Sequence, residues 1–368
     1  MADITLLYPQ LTELGEHLLS TGNLIEQNRA AALEGLSHPE LMKIACIGIP
    51  AEFNPCRSSV WSDICYTHHL QVIEYLCRSD ASAMMMLPGA SLSTRAILTL
   101  GTPEQQARFF ACFSERPAWT FFAVSEPGKG SDAAEVHCEL VMQKDSGNLD
   151  GTKMFIGGAL NASVGIVFAR YQQSHRLVMV FPERRPHRTK RERLETFGLQ
   201  GAGLSRLEFN HYPVNQDDIL GHQNRGLQQG LNALSLVFER HRPMVAAMAL
   251  GTTFGLLTSM ENYALSTRAI LWKEQQWRKY YVLYQNMLAI AEGYSCGIRQ
   301  YAQTSQLKLS ATRLAEETAR HLPHWLSLDN WLSDGTLRRK YRDSFAFEYM
   351  EGTTNIHLLT SHRPPQPA

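Results

Sequence analysis

Trp119-Thr-Phe-Phe-Ala-Val-Ser125-Glu-Pro-Gly-Lys-Gly-Ser131-Asp132 is the stretch at which the chain changes character. Before Pro117 apolar residues recur at threes and fours. From Trp119 to Ser125 they run on as in a buried strand, and Glu126-Pro127-Gly128 turns the chain. Val136, Cys138, Leu140 and Met142 then alternate with His137, Glu139 and Val141. This period of two predicts that the residues after Asp132 continue as strand until Asp145-Ser-Gly-Asn148 turns the chain again. Val164–Arg170, Leu177–Phe181 and Leu204–Phe209 are further short β runs separated by turn chemistry. Together they predict a small, mostly antiparallel β-domain.

Both flanks read as helix. On the N-terminal side, Leu70, Ile73, Leu76 and Cys77 mark one apolar face of His69–Arg78. Ser37 is the expected cap of a helix with Pro39 and Glu40 in its first turn, and Thr102 the cap of one beginning at Pro103. On the C-terminal side, Gly226–Glu239, Pro243–Arg268, Tyr281–Arg299 and Ser305–His321 are compatible with helices packed as a bundle. The expected organisation is an N-terminal α-helical domain over 1–116, a middle β-domain over 117–221 and a C-terminal helical bundle over 222–368.

Composition narrows the function classes. The chain has 368 residues, 44% of them hydrophobic, so it is long enough for a substantial core. Lys plus Arg and Asp plus Glu both number 35, which leaves no net field to attract nucleic acid or an anionic membrane. The basic stretch Glu183–Glu195 contains glutamates and Pro186 and reads as a solvated loop. Seven cysteines without a Cys-x-x-Cys pair suggest reduced thiols and no metal centre. Asp3 precedes any basic residue, so the start does not read as a secretory signal. Ile44–Ala51 and Ala81–Leu87 fall short of the roughly 20 residues of a membrane span. The cytoplasm is the expected location.

Gly128-x-Gly130-x-x-Ala133 mimics a dinucleotide-binding loop, but such a loop must open a helix, and the alternation after Asp132 argues against one. The turn instead offers backbone N–H groups and the hydroxyls of Ser125 and Ser131, which can bond the edge of a planar ring. The same residues also make an ordinary hairpin turn. Two further segments carry polar residues in apolar surroundings. One is Asn148-Leu-Asp-Gly-Thr-Lys-Met-Phe-Ile-Gly-Gly158. The other is Arg342-Asp343 followed by Phe347-Glu-Tyr-Met-Glu351-Gly-Thr-Thr-Asn-Ile-His-Leu-Leu359.

In this order, and on a helix, strand, helix plan, these segments resemble the acyl-CoA dehydrogenase family. Its pattern is Tyr-x-Val-Thr-Glu-Pro-x-x-Gly-Ser-Asp, then Asn-Gly-x-Lys-x-Trp-Ile-Thr-Asn, then Arg-Asp and Tyr-Glu-Gly-Thr-x-x-Ile. Leu194–Gly221 and Phe238–Ala247 also look like family segments. The resemblance implies FAD as cofactor and hydride transfer to it from the β-carbon of a thioester, while a carboxylate removes the α-proton. By the Glu-Gly-Thr match, Glu351 is the expected catalytic base, in an apolar pocket that would raise its pKa, with Met350 where the family has tyrosine. Gly352 would let substrate approach. Some family members carry the base on an earlier helix, where the matching position is His241. Glu348 and Glu239 are the alternatives for the base.

For FAD, the resemblance implies contact with Phe122, Ala123, Val124 and Ser125, with Ser125 in place of threonine. Phe155 replaces a tryptophan ring and Gly157 a threonine. Arg268 matches an arginine that reaches the pyrophosphate, and Thr353 and Asn355 match residues at the ADP half. Ser131, Arg242 and Gly352 are expected on the substrate side. The sequence departs from the family where His324–Leu332 replaces a Gln-x-x-Gly-Gly-x-Gly segment that meets the neighbouring subunit's FAD, and in a longer stretch between Arg268 and Gln285.

These departures resemble family homologues of nonribosomal peptide and polyketide pathways, which oxidise acyl groups on a carrier protein. One of these acts in the aminomalonyl extender route of colibactin and zwittermicin biosynthesis on a seryl-derived thioester. The implied partners are an acyl carrier protein or CoA thioester, an external electron acceptor, and a second copy in a homodimer or homotetramer. An ordinary acyl-CoA dehydrogenase or oxidase, and a non-catalytic scaffold of the same fold, are the competing readings.

Overall fold

The computed structural model describes residues 3–128, 132–222 and 230–361. Among these residues seven α-helices precede the sheet: α1 Ile4–Leu7, α2 Leu11–Ile25, α3 Arg29–Gly35, α4 Pro39–Ala45, α5 Tyr66–Met84, α6 Leu92–Leu100 and α7 Pro103–Phe110. Thr102 caps α7 in a reciprocal capping box with Gln105, as its sequence predicts. The cap of α4 is His38, whose ring accepts from the Glu40 N–H, and not Ser37.

The strands are β1 Thr120–Ala123, β2 Glu139–Gln143, β3 Ser146–Ile156, β4 Val164–Tyr171, β5 Ser174–Val180, β6 Thr189–Arg193 and β7 Ser205–Asn215. They form one sheet in the order β1-β4-β2-β3-β7-β6, with β5 also on β4. Pairing is mostly antiparallel, but β1 and β4 are parallel, as is the short β2 contact with β4. The alternation after Asp132 begins too early as a strand: Ala133–Glu135 is a 3-10 turn capped by Asp132, and pairing starts at Glu139. A lone apolar alternation does not register that Glu126 captures the His137 and Cys138 N–H groups, at 2.6 and 2.9 Å, before the ladder begins.

After the sheet come α8 Gly230–Ser259, α9 Thr267–Ser295, α10 Tyr301–Trp325, α11 Leu328–Ser333, α12 Gly335–Ser344 and α13 Thr354–Ser361. Against expectation, α8 runs straight through Pro243. By length and composition α8 is apolar enough to cross a membrane, but 78% of its apolar window is buried. It packs most heavily on α5 and α10, which makes it the central helix of the core.

Candidate functional site

Pro243 shapes the site. Proline has no N–H for the carbonyl four residues back, so the Glu239 carbonyl loses its helical donor. The Tyr294 hydroxyl supplies one at 3.0 Å, and the Tyr66 hydroxyl donates to the next carbonyl, Arg240, at 2.8 Å. The opening is thus satisfied by α9 and α5, and the turn of α8 that contains it faces the segment between α12 and α13.

That segment carries Glu351. Its backbone is left-handed, with φ +54° at Glu351 and +107° at Gly352. Glutamate is not at home there, and such strain persists only where the surroundings impose it. A Cβ on Gly352 would come within 3.2 Å of Ile356 and 3.4 Å of His357, so glycine is required by the turn itself. Lys308, fully buried on α10, donates to the carbonyls of Glu348 at 3.0 Å and Gly352 at 2.8 Å and brackets the turn. Burial pulls its ammonium down to about 8, against the nearby negative charges of Glu348 and Glu351.

Two adjacent residues of α8 hold Glu351 itself. His241 Nδ1 hydrogen-bonds to Glu351 Oε1. Arg242 Nε donates to the Glu351 carbonyl at 3.4 Å, and its Nη1 to Ser305 Oγ at 2.5 Å. Arg242 is buried, and this expected substrate residue turns its Nε to the Glu351 backbone and its Nη1 to α10. Glu351 Oε2 is buried and has no hydrogen-bond partner among the described residues. Glu239 and Glu348 are engaged: Glu239 accepts from Arg299 and the Gln300 N–H, both at 2.9 Å, and Glu348 from the Thr354 N–H at 2.6 Å and its hydroxyl at 2.9 Å.

The surroundings are more polar than the apolar pocket expected from sequence. Tyr66 packs edge-on to Tyr294 at 6.0 Å, and the Arg240 guanidinium lies 4.2 Å from the Tyr294 ring centroid. Burial raises the Tyr66 hydroxyl, and the charges of Arg95, Arg240 and Glu351 all act on it. Burial pushes His69 down to about 3, with Arg95 and His241 adding to the effect.

The expected flavin contacts come together at the ends of β1 and β3. Ser125 is exposed just beyond β1, and its carbonyl accepts from Met154 N–H at 2.9 Å. Ala123 is buried, Val124 half-buried, and the Phe122 ring meets Phe238 of α8 at 6.1 Å. Lys153, fully buried, donates to the Val124 carbonyl at 2.9 Å and to Glu126 at 2.7 Å, tying the two strand ends together. Phe155 sits in a bulge of β3 at φ +62° and is 58% exposed. A bulky aromatic forced into the left-handed region with its ring in solvent is the kind of irregularity that serves a ligand. An exposed flat ring, a neighbouring hydroxyl and rigid strand ends fit an isoalloxazine. A Cβ at Gly157 would make only ordinary contacts, the closest 3.6 Å, so no crowding explains the missing threonine.

Thr353 and Asn355 follow Glu351 at the start of α13, with Asn355 exposed. Arg268 stands apart. It is exposed at the start of α9 with its guanidinium 5.9 Å from the Trp325 ring, at the far end of α10 from Lys308, so one chain does not bring it to the Ser125–Phe155 group. Ser131 lies outside the described residues, as does Gly130. The Arg342-Asp343 pair is structural: Asp343 Oδ1 accepts from the Leu199 N–H at 2.6 Å, and Arg342 pairs with Glu26. Lys153 and Lys308 were not singled out from sequence. Only their apolar neighbours hinted that these lysines are buried.

Comparison with known proteins bears on the family and the fold. Residues 121–212 match the middle domain of acyl-CoA dehydrogenase and residues 228–364 its C-terminal domain. Human mitochondrial short-chain specific acyl-CoA dehydrogenase is 27% identical over 81% of this chain and 77% of its own length. Among solved structures, butyryl-CoA dehydrogenase from Megasphaera elsdenii superposes with a TM-score of 0.80 at 17% identity, covering 98% of this chain and 97% of its own. The prolyl acyl carrier protein oxidase AnaB and FkbI, for biosynthesis of the methoxymalonyl extender unit of a polyketide, each give a TM-score of 0.76 at 17% identity, with coverage of 96% and 97%. The cofactor is FAD. With both domain matches in order on the expected fold, the chain belongs to the acyl-CoA dehydrogenase family.

Proposed function

We propose that this dehydrogenase oxidises a short, heteroatom-bearing acyl thioester held on a carrier protein, with Glu351 as the base. The observation that carries the assignment of the base is the buried Oε2 of Glu351, left without a donor among the described residues while Oε1 is held by His241. An unsatisfied buried oxygen costs about 1–3 kcal/mol, a cost expected to persist where that atom must accept a proton. Bound FAD supplies the hydride acceptor at the β-carbon. Glu351 takes the proton released in the same oxidation, from the α-carbon of a saturated acyl group or from a hydroxyl of a hydrated aldehyde. Arg242 and Lys308 fix its backbone so that the acceptor oxygen does not wander.

The polar setting of Glu351 supports the finer reading. Tyr66, His69, Arg95 and Arg240 suit an acyl group that bears oxygen or nitrogen better than a plain alkyl chain. A seryl-derived thioester whose β-carbon is already an aldehyde fits this chemistry. Its hydrate, –CH(OH)2, loses a hydride from carbon and a proton from one hydroxyl, the latter to Glu351, and becomes the carboxylic acid of an aminomalonyl unit. The prolyl carrier-protein oxidase and FkbI are compatible relatives in fold. Reoxidation falls to an external electron acceptor. The exposed Ile270, Leu271 and Val282 of α9 favour burial in a homo-oligomer.

The test is anaerobic mixing of FAD-loaded protein with matched acyl groups on CoA and on a carrier protein. Bleaching of the flavin band is expected faster with the carrier-bound thioester, and bleaching by CoA esters alone refutes the carrier assignment. Glu351→Gln is expected to keep FAD and lose at least 100-fold in reduction rate. Wild-type reduction in that variant removes Glu351 as the base, and a protein that never binds FAD removes the enzymatic reading altogether.

A further inference from the structure

We infer that Glu351 works as one half of a His241–Glu351 dyad, in which His241 is a positioning residue that fixes the carboxylate and makes its basicity depend on the imidazole. The inference rests on Glu351 being the base. The family resemblance predicts a carboxylate at one of two positions. Here the second is a histidine, and the structure joins the two by a hydrogen bond across 110 residues of sequence.

A carboxylate has two oxygens, and a base needs one of them aimed at the substrate. The Nδ1 bond takes Oε1 and so leaves Oε2 as the free acceptor. The donor must be Nδ1–H, because a lone pair on Nδ1 would face the carboxylate charge. The imidazole is therefore held in the tautomer that is the minor one in free histidine, with Nε2 unprotonated. His241 is 21% exposed at its side chain against 4% for Glu351, and no described residue bonds its Nε2. Water can reach the ring, and a proton taken up at Nε2 places a full positive charge beside the carboxylate.

That charge stabilises the ionised carboxylate relative to the acid, so a carboxylate paired with imidazolium accepts the substrate proton less readily. The neighbours on every packed element are part of the same field. They are Tyr66 and His69 on α5, Arg95 on α6, Arg240 and Arg242 on α8, Tyr294 on α9, Lys308 on α10, and Glu348 and His357 around the turn. Most of the charged ones are cationic, and Glu351 is the carboxylate in direct contact with the ring.

Two measurements test the dyad. In FAD-free protein with 15N-labelled histidine, above the imidazole titration, the His241 signal is expected to show protonated Nδ1, and Glu351→Ala is expected to return it to the protonated-Nε2 form. In FAD-loaded enzyme, His241→Ala is expected to lower the rate of flavin reduction by substrate about 10- to 100-fold, the worth of one hydrogen bond to a charged group, with KM within about threefold. His241→Asn places an amide N–H where Nδ1–H stood and cannot titrate. It is expected to recover most of the rate and to extend activity to lower pH. Protonated Nε2 in the wild type, or a His241→Ala rate within twofold of wild type, overturns the dyad. If Glu351→Gln instead retains wild-type reduction, it is the assignment of the base that has failed.

Discussion

Replacing Lys153 by methionine separates the electrostatic account of the β1–β3 edge from simple packing. The Lys153 and Glu126 side chains are 0% and 3% exposed, so their 2.7 Å contact is a buried ion pair. Burial alone would raise the Glu126 carboxyl, and it is the largest single effect, but Lys153 and the His137 and Cys138 N–H groups together hold it below its ordinary value. Methionine removes the cation and leaves the carboxylate in place, a change that costs about 3–5 kcal/mol in comparable buried pairs. At about 2 °C per kcal/mol for a chain of this size, the thermal midpoint should fall by about 6–10 °C at pH 7.5. Strictly additive costs would mean that the pair does not matter as a pair. The double variant Lys153→Met/Glu126→Gln should recover most of the loss, since no charge is then stranded.

The pH dependence has a definite sign. In wild type, stability from the depressed Glu126 is present above its ordinary pKa and lost as pH falls through the depressed one. In Lys153→Met, protonating Glu126 removes a stranded charge, so the deficit against wild type should shrink as pH is lowered toward 4. Differential scanning fluorimetry of Lys153→Met, Glu126→Gln, the double variant and wild type from pH 4.5 to 8 measures this. A deficit that does not vary with pH, or a double variant as unstable as the summed singles within about 0.5 kcal/mol, refutes the reasoning. The same variant should bind FAD more weakly, because the Val124 carbonyl loses its anchor next to Ser125.

Lys308→Met should leave overall stability within about 2 kcal/mol of wild type at pH 7, because losing two hydrogen bonds is offset by no longer burying an ammonium. Reduction by substrate should nevertheless fall at least tenfold as the left-handed Glu351 turn relaxes; wild-type rates would show that the turn needs no clamp. As the Lys308 pKa is down at about 8, wild type should also gain stability relative to this variant as pH rises from about 8 toward 10.5 in thermal scans. Asp343→Asn should flatten the stability profile above about pH 4. Burial, with Asp80 adding, raises the Asp343 carboxyl, so its ionisation opposes folding as pH rises, and asparagine can still accept from Leu199. An unchanged profile in urea titrations at several pH values would count against that burial cost.

The layer order was legible because periodicity is local: a helix or a strand writes its burial into neighbouring residues. Thr102 and Gln105 were equally plain, since a capping box is complete within four positions. β7 runs six residues past its expected end, through His211, at φ +46°, and Pro213. The sheet tolerates them where the Asp150 carboxylate receives the His211 N–H at 2.6 Å. Asp150 belongs to another strand, and nothing near His211 announces it. The resemblance singled out Glu351, Phe155 and Ser125 by motif as expected site residues. It did not announce that Arg242 would face the Glu351 carbonyl, or that Arg268 would stand at the opposite end of the bundle.

Pro243 shows why such contacts escape a local reading. Taken alone it predicts a helix break, because one carbonyl is orphaned and the ring crowds the preceding turn. The orphaned Glu239 carbonyl is satisfied by Tyr294 from α9, and Tyr66 of α5 donates to the next one, Arg240. Tyr66 also feels the charge of Glu351 and packs on Tyr294, so the repair of the helix and the polarity of the site share residues. A fully hydrogen-bonded α8 would not need the Tyr294 hydroxyl, and an apolar residue could replace that tyrosine without stranding the Glu239 carbonyl. The proline thus commits α9 to presenting a polar side chain at the turn of α8 that carries His241 and Arg242. A site built this way depends on three helices agreeing, which is why its chemistry follows from the packed structure and not from any one motif.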